Sequence, residues 1–198
     1  MSGTGKTHWS KKLSEKGFTQ YCCDDLIEEL LSKDLKKLGY RGIQDVAKWM
    51  GQPYDTQYPK TSKAYLAREI QVMEKLIKKI ANKKNSVIDT TGSVIYAGGE
   101  IGKALVKLTT VIYLETPQSV QDEMFRVYMQ DPKPVIWGQV FKKKKNETEK
   151  EALARCYPEL LNTRAEKYKK LAHKKLDYHK LRVPSYSASD FLADSKTT

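Results

Sequence analysis

The sequence predicts an α/β domain: a parallel sheet with helices on both faces. Three observations predict it. Short β-branched apolar runs alternate with longer amphipathic ones, a glycine-rich "GTGKT" (3–7) opens the first helix, and aspartates stand where apolar runs end. At 198 residues the chain is long enough for one domain with a substantial core.

The elements follow in order. From Thr7 to Lys16, Trp9 and Leu13 share one face of a helix that Gly17 stops. Thr19 to Cys23 is a short strand ending at Asp24 and Asp25, and an amphipathic helix runs from about Asp25 to Lys37 with Leu26, Leu30 and Leu31 inward. Ile43 to Met50 is a short helix between glycines. "GQPYDTQYPKTS" (51–62) has no period and is a loop, after which Leu66, Ile70, Met73, Ile77 and Ile80 mark a helix from about Ser62 to Asn82. "SVIDT" (86–90) and "TTVIYLE" (109–115) are buried strands. Pro117 begins a helix through Met129. Residues 130–150 lose all pattern and are a mobile segment by composition. Glu151 to Lys175 is a long helix, Lys180 to Val183 a last strand, and Ser187 caps a closing helix.

Composition narrows the function classes. Cys22, Cys23 and Cys156 lack metal-ligand or disulfide spacing and are small core residues of a reducing compartment. No run approaches the ~18 apolar residues of a membrane span, and no signal-peptide core is present, so a soluble, cytoplasmic protein is expected. The net charge of +12 is mostly lysine, with only six arginines among 36 basic residues. Scattered lysine is ordinarily a solvated exterior, so the arginines are the better candidates for gripping anions in two places. The three histidines lack ligand spacing. Tyr54, Tyr58 and Trp137 suit either ring stacking or loop packing.

The chemistry concentrates at the start. A full phosphate loop is Gly, four residues, then Gly-Lys-Ser/Thr; counting back from Gly5 puts the first glycine one residue before Met1. Ser2, Gly3, Thr4, Gly5, Lys6 and Thr7 are the nucleotide-binding residues: loop amides and the helix N-terminus face the phosphates, Lys6 reaches the outer ones, and the Thr7 hydroxyl meets magnesium. Asp24 and Asp25 stand at a strand's C-terminal end, where open parallel sheets place ligands. Asp89 ends "SVID" as the acidic partner of the metal. A lone aspartate is commonly a cap or turn residue, but three in this arrangement beside the loop suit phosphoryl transfer to a hydroxyl.

At these residues the chain resembles the shikimate kinase family of P-loop kinases over nearly its whole length. That family's "F-x-D-x-D" is similar to Tyr21-Cys22-Cys23-Asp24-Asp25, and its "V-I-x-T-G-G-G" to Val87-Ile88-Asp89-Thr90-Thr91-Gly92-Ser93. Its lid "R-P-L-L" is similar to Lys133-Pro134-Val135-Ile136, and its "R-x-P-x-Y" to Arg164-Ala165-Glu166-Lys167-Tyr168. The resemblance implies a P-loop kinase fold with core 1–130 and 151–198 and a lid at about 131–150, ATP as co-substrate and Mg2+ as cofactor. It further implies Asp24 or Asp25 as the group that positions and deprotonates the acceptor, Gly92 and Arg164 at the substrate, and Lys133 where a lid arginine meets the transferring phosphate. Departures accompany it: the family's "F-R-x-x-E" is Tyr65-Leu66-Ala67-Arg68-Glu69 here, with leucine for the carboxylate-binding arginine, and Thr91 and Ser93 replace two glycines. The expected acceptor is therefore a small hydroxylated, anionic metabolite other than shikimate. The alternatives are a nucleotide or polynucleotide-end kinase, for which Lys142 to Lys145 would grip phosphates, and a non-catalytic nucleotide-binding regulator.

The family's strand order puts one further strand, the one that delivers the loop, between 86–90 and 109–114. This chain is expected to lack that central strand, to be an N-terminally shortened form of a functional kinase, and as written to fold poorly or bind nucleotide weakly.

Overall fold

The computed structural model describes residues 3–196. Eight α-helices and four strands alternate among them: α1 Lys6–Ser14, β1 Thr19–Cys22, α2 Cys23–Lys36, α3 Gly42–Met50, α4 Tyr58–Ile80, β2 Ser86–Asp89, α5 Gly99–Leu108, β3 Ile112–Leu114, α6 Gln121–Gln130, α7 Glu149–Leu171, β4 Lys174–Leu176 and α8 Ala188–Ser195. β1 pairs in parallel with β2, Thr19 opposite Ser86 through Cys22 opposite Asp89. β3 pairs in parallel with β4, Ile112 opposite Lys174 through Leu114 opposite Leu176. The two pairs form separate two-stranded sheets, so β2 and β3 each have one strand neighbour among the described residues.

Side-chain alternation along the strands sends successive residues to opposite faces and so builds two cores. Ile88 and Val111 pack into the larger one, with Ile27, Leu31, Met73, Leu76, Leu153 and Leu160 at its centre. Val87 and Ile112 pack into the smaller one, where Trp9 of α1 stacks on Phe191 of α8 at 5.0 Å and meets Tyr186 edge-on at 5.3 Å. Helices thus cover both faces, as the alternating pattern predicts.

The structure departs from the sequence expectation at several places, among them the start of α4, which at Tyr58 lies inside the stretch 51–62 expected to be a loop. The last strand is Lys174–Leu176, not 180–183. The Asp177 side chain accepts from the Lys180 N–H (2.8 Å) and the Asp177 carbonyl from the Leu181 N–H (3.1 Å), which winds Lys180–Arg182 into a 3₁₀ turn. The long helix ends at Leu171, short of the expected Lys175. A helix, α5, covers residues the pattern left unassigned; its buried side is Ile101, Gly102 and Leu105, too short a stripe to stand out beside two glycines. Gln118–Val120 forms a 3₁₀ turn before α6, so Pro117 precedes the helix by several residues. Residues 131–148 have no regular structure beyond turns, yet the centre of the segment is held. Trp137 is 1% exposed and lies edge-on to Tyr128 and Phe141. Tyr58 donates its hydroxyl to the Val135 carbonyl (2.8 Å) and accepts from the Trp137 N–H (2.8 Å), so Tyr58 and Trp137 serve packing. Thr148 then starts α7 with a capping box closed by Glu151.

Candidate active site

The phosphate-loop residues form a tight turn into α1. Gly3 and Gly5 adopt φ of +76° and +95°, which a side chain would strain, and the Gly5 carbonyl accepts the first helical bond from Trp9 N–H at 3.0 Å. The N-terminus of α1 therefore opens directly on the loop, an arrangement that favours anions. Ser2, assigned to the loop from sequence, lies outside the described residues. Arg182, which sequence reasoning missed, donates from Nη2 to the Gly3 carbonyl at 2.9 Å and stacks on the Tyr178 ring at 3.4 Å. Nothing in its sequence neighbourhood signals a partner nearly the whole chain away.

β2 delivers Asp89 to the same place. Thr7 Oγ1 donates to Asp89 Oδ2 at 2.6 Å, and Asp89 is buried. Ser10, one helical turn beyond Thr7, donates to the Thr7 carbonyl at 3.1 Å, lies 3.4 Å from Asp89 Oδ2 and accepts from Gln20 Nε2 at 2.7 Å. Sequence reasoning missed Ser10, although its i, i+3 spacing from Thr7 sets both hydroxyls on one helix face. A hydroxyl and one carboxylate are hard oxygen ligands of the kind Mg2+ takes together with phosphate oxygens, so this pair fits a phosphate-borne Mg2+. No cluster of three or more His, Cys, Asp or Glu that could hold a metal by itself occurs among the described residues.

The structure separates the two neighbouring aspartates. Asp24 is the inward one: burial pushes its carboxyl above the ordinary value, Lys6 opposes that shift and the Asp89 charge adds to it. Tyr65, 1% exposed on α4, donates its hydroxyl to Asp24 Oδ1 at 3.4 Å. Asp25 is exposed and interacts instead with Cys22, whose thiol is pushed up to about 11, mainly by burial. The helix geometry is responsible, since consecutive residues lie about 100° apart and only one of them can face the loop.

Beyond Asp24 lies a polar cluster with a fully buried carboxylate. Glu69 of α4 accepts from the Thr91 hydroxyl and, at 2.6 Å, from the Ser93 hydroxyl, and Thr91 Oγ1 accepts from the Ser93 N–H at 3.0 Å. Burial pushes the Glu69 carboxyl up to about 7 against the two hydroxyl bonds that stabilise its charge. The hydroxyls that replace glycines are thus engaged by Glu69, and the Gly92 carbonyl accepts from Tyr168. Arg164 is 5% exposed; its Nη2 donates to the Ile136 carbonyl at 2.8 Å, its guanidinium lies 5.9 Å from the Tyr96 ring, and its buried Nε has no partner among the described residues. Glu166 pairs with Lys169 at 2.8 Å, not with Arg164. Lys133 is set apart from this cluster in an ion pair with Asp131 at 2.7 Å.

The structure therefore brings Lys6, Thr7, Asp24 and Asp89 into one electrostatic neighbourhood, with Glu69 and Arg164 behind it, and leaves Asp25 and Lys133 in outward pairings. No family model matches the chain and no curated protein matches it. Among solved structures it is similar to a shikimate kinase from Acinetobacter baumannii in complex with shikimate, at 22% identity and a TM-score of 0.57 over 96% of this chain and 83% of that one. At that identity the likeness shows the fold: a mixed α/β architecture with parallel strands, shared with shikimate kinase.

Proposed function

We propose that the chain is an ATP- and Mg2+-dependent small-molecule kinase that transfers the γ-phosphate to a hydroxyl of a small, anionic acceptor. The observation that carries it is the 2.6 Å bond between Thr7 and Asp89, next in sequence to a lysine whose charge acts on Asp24. Backbone amides of residues 3–7 and the α1 N-terminus bind the phosphates, and Lys6 neutralises the outer ones. Mg2+, when bound, supplies further charge neutralisation on the phosphate oxygens; Thr7 and Asp89 are the residues that would hold it. Asp24 accepts the proton of the acceptor hydroxyl as its oxygen bonds to the γ-phosphorus and the bond from phosphorus to the ADP oxygen breaks. A carboxyl raised above its ordinary value is the stronger base for this step. Arg164 carries the positive charge for the acceptor's anionic group, Gly92 provides close backbone approach, and residues 131–150 form the lid, with Lys133 meeting the phosphate when its pair with Asp131 opens. No helix among the described residues is long and apolar enough to cross a membrane. Titration calorimetry tests the proposal: Lys6→Ala is expected to weaken ATP at least about tenfold, the worth of one charge-assisted contact. Equal affinity in the variant and the parent chain would contradict it.

A further inference from the structure

Arg182 reaches the phosphate loop from a turn that the rest of the fold holds in place. Leu181 beside it is buried and shares the smaller core with Trp9 of α1. Lys180, one residue earlier, pairs with Asp194 of α8 at 2.7 Å, and the Asp177 carboxylate accepts the Lys180 N–H at 2.8 Å. The guanidinium is held as firmly as the turn. It lies 3.4 Å from the centre of the Tyr178 ring, and donates from Nη1 to the Tyr178 carbonyl at 3.1 Å and from Nη2 to the Gly3 carbonyl at 2.9 Å. A planar cation already stacked on a ring loses little further freedom when its remaining arm forms a bond.

At the loop, Gly3 and Gly5 are left-handed, with φ of +76° and +95°, and Thr4 between them is not. Backbone that alternates hand in this way gathers successive N–H groups into a hollow that binds anions. Packing does not fix the first peptide of that hollow at Gly3, because no described atom beyond its chain neighbours lies within 4 Å of where a side chain would start. The Gly3–Thr4 peptide is trans, so its C=O and N–H lie on opposite sides. The bond that draws the Gly3 carbonyl toward Arg182 therefore turns the Thr4 N–H the other way. We propose that Arg182 is a positioning residue of the phosphate site: it holds the Gly3–Thr4 peptide in the orientation in which the loop amides converge on phosphate oxygens. This rests on the reading of residues 3–7 as that site. In this role Arg182 touches no phosphate, and its effect reaches any ligand that brings the same phosphate chain.

Titration calorimetry with Mg2+ present compares the parent chain, Arg182→Ala and Arg182→Lys, each with ATP and with inorganic tripolyphosphate. Arg182→Ala is expected to weaken both ligands by the same factor, at least about fivefold, the worth of one hydrogen bond. That factor is expected to persist at about 0.5 M salt, where attraction between separated charges is screened. Arg182→Lys is expected to fall between the two proteins, since it keeps a cationic donor and loses the fork and the stack. Tyr178→Leu leaves Arg182 in place, removes the ring beneath it, and is expected to weaken both ligands equally by a smaller factor. The thermal midpoint of each variant is expected to stay within about 2 °C of the parent, because the bond is exposed. Equal affinities in the parent and Arg182→Ala would overturn the proposal. So would weakening of ATP alone, which would make Arg182 a contact to the nucleoside, or a loss that vanishes with salt, which would make it a general attractor of anions. A parent chain that binds neither ligand would end the phosphate-site reading and this proposal with it, whereas equal binding by parent and variants ends this proposal alone.

Discussion

Replacing Glu69 by glutamine isolates the cost of its buried carboxylate. In the folded chain the carboxyl stands at about 7 against an ordinary 4.5, chiefly because burial disfavours the charge, with Asp24 adding repulsion and Ser93, Thr91 and Arg164 opposing. The folded state thus holds this proton more tightly than the unfolded state. Its stabilising contribution is complete below about pH 4.5 and is lost as pH rises through about 7. A shift of this size corresponds to about 3 kcal/mol, which for a domain of this length moves the thermal midpoint by about 6 to 12 °C. A neutral carboxyl also closes a ring, donating to Thr91 while Thr91 donates to Ser93 and Ser93 to the second carboxyl oxygen. Glutamine stays neutral at every pH. Circular-dichroism melts of the parent chain and Glu69→Gln from pH 4.5 to 8.5 separate this group from all carboxylates the two proteins share. The midpoint of the parent relative to the variant is expected to fall steadily with pH, most steeply between 5 and 7. A constant difference across that range would refute the reasoning.

Other perturbations address other links. Tyr65→Phe removes the hydroxyl that helps keep Asp24 ionised, so the acid limb of the kcat/KM profile is expected to move upward by about half a pH unit to one unit; an unmoved limb separates Tyr65 from the proposed base. Trp137→Ala empties the anchor of the irregular 131–148 segment and is expected to cost about 3–5 kcal/mol in urea unfolding, whereas a loss below 1 kcal/mol would mean the segment carries little of the core. Thr148→Ala removes the capping box of α7 and is expected to cost about 1 kcal/mol by the same measurement, with ATP affinity unchanged.

Local pattern was enough wherever a residue's environment depends on its near neighbours. The three- and four-residue spacing from Leu66 to Ile80 marks α4, the glycines at 3 and 5 mark the turn into α1, and the β-branched runs at 86–89 and 112–114 mark strands, because each signal is the period of the element itself. Asp89 was expected at a strand end as an acidic partner to the loop, and the structure sets it 2.6 Å from the Thr7 hydroxyl. What the chain does over long separations was not legible. Arg182 on the Gly3 carbonyl, Trp137 under Tyr58, and Glu69 binding the Thr91 and Ser93 hydroxyls all join residues with no shared period. The choice between Asp24 and Asp25 also waited on tertiary structure, because both fit the strand-end position and only the docking of α2 turns one toward Lys6. Sequence by itself marked most of the elements, though neither α5 nor the place of the last strand. Tertiary structure decided which of their ends meet, because helix and strand periods orient side chains about their own axis and carry no information on what lies across it.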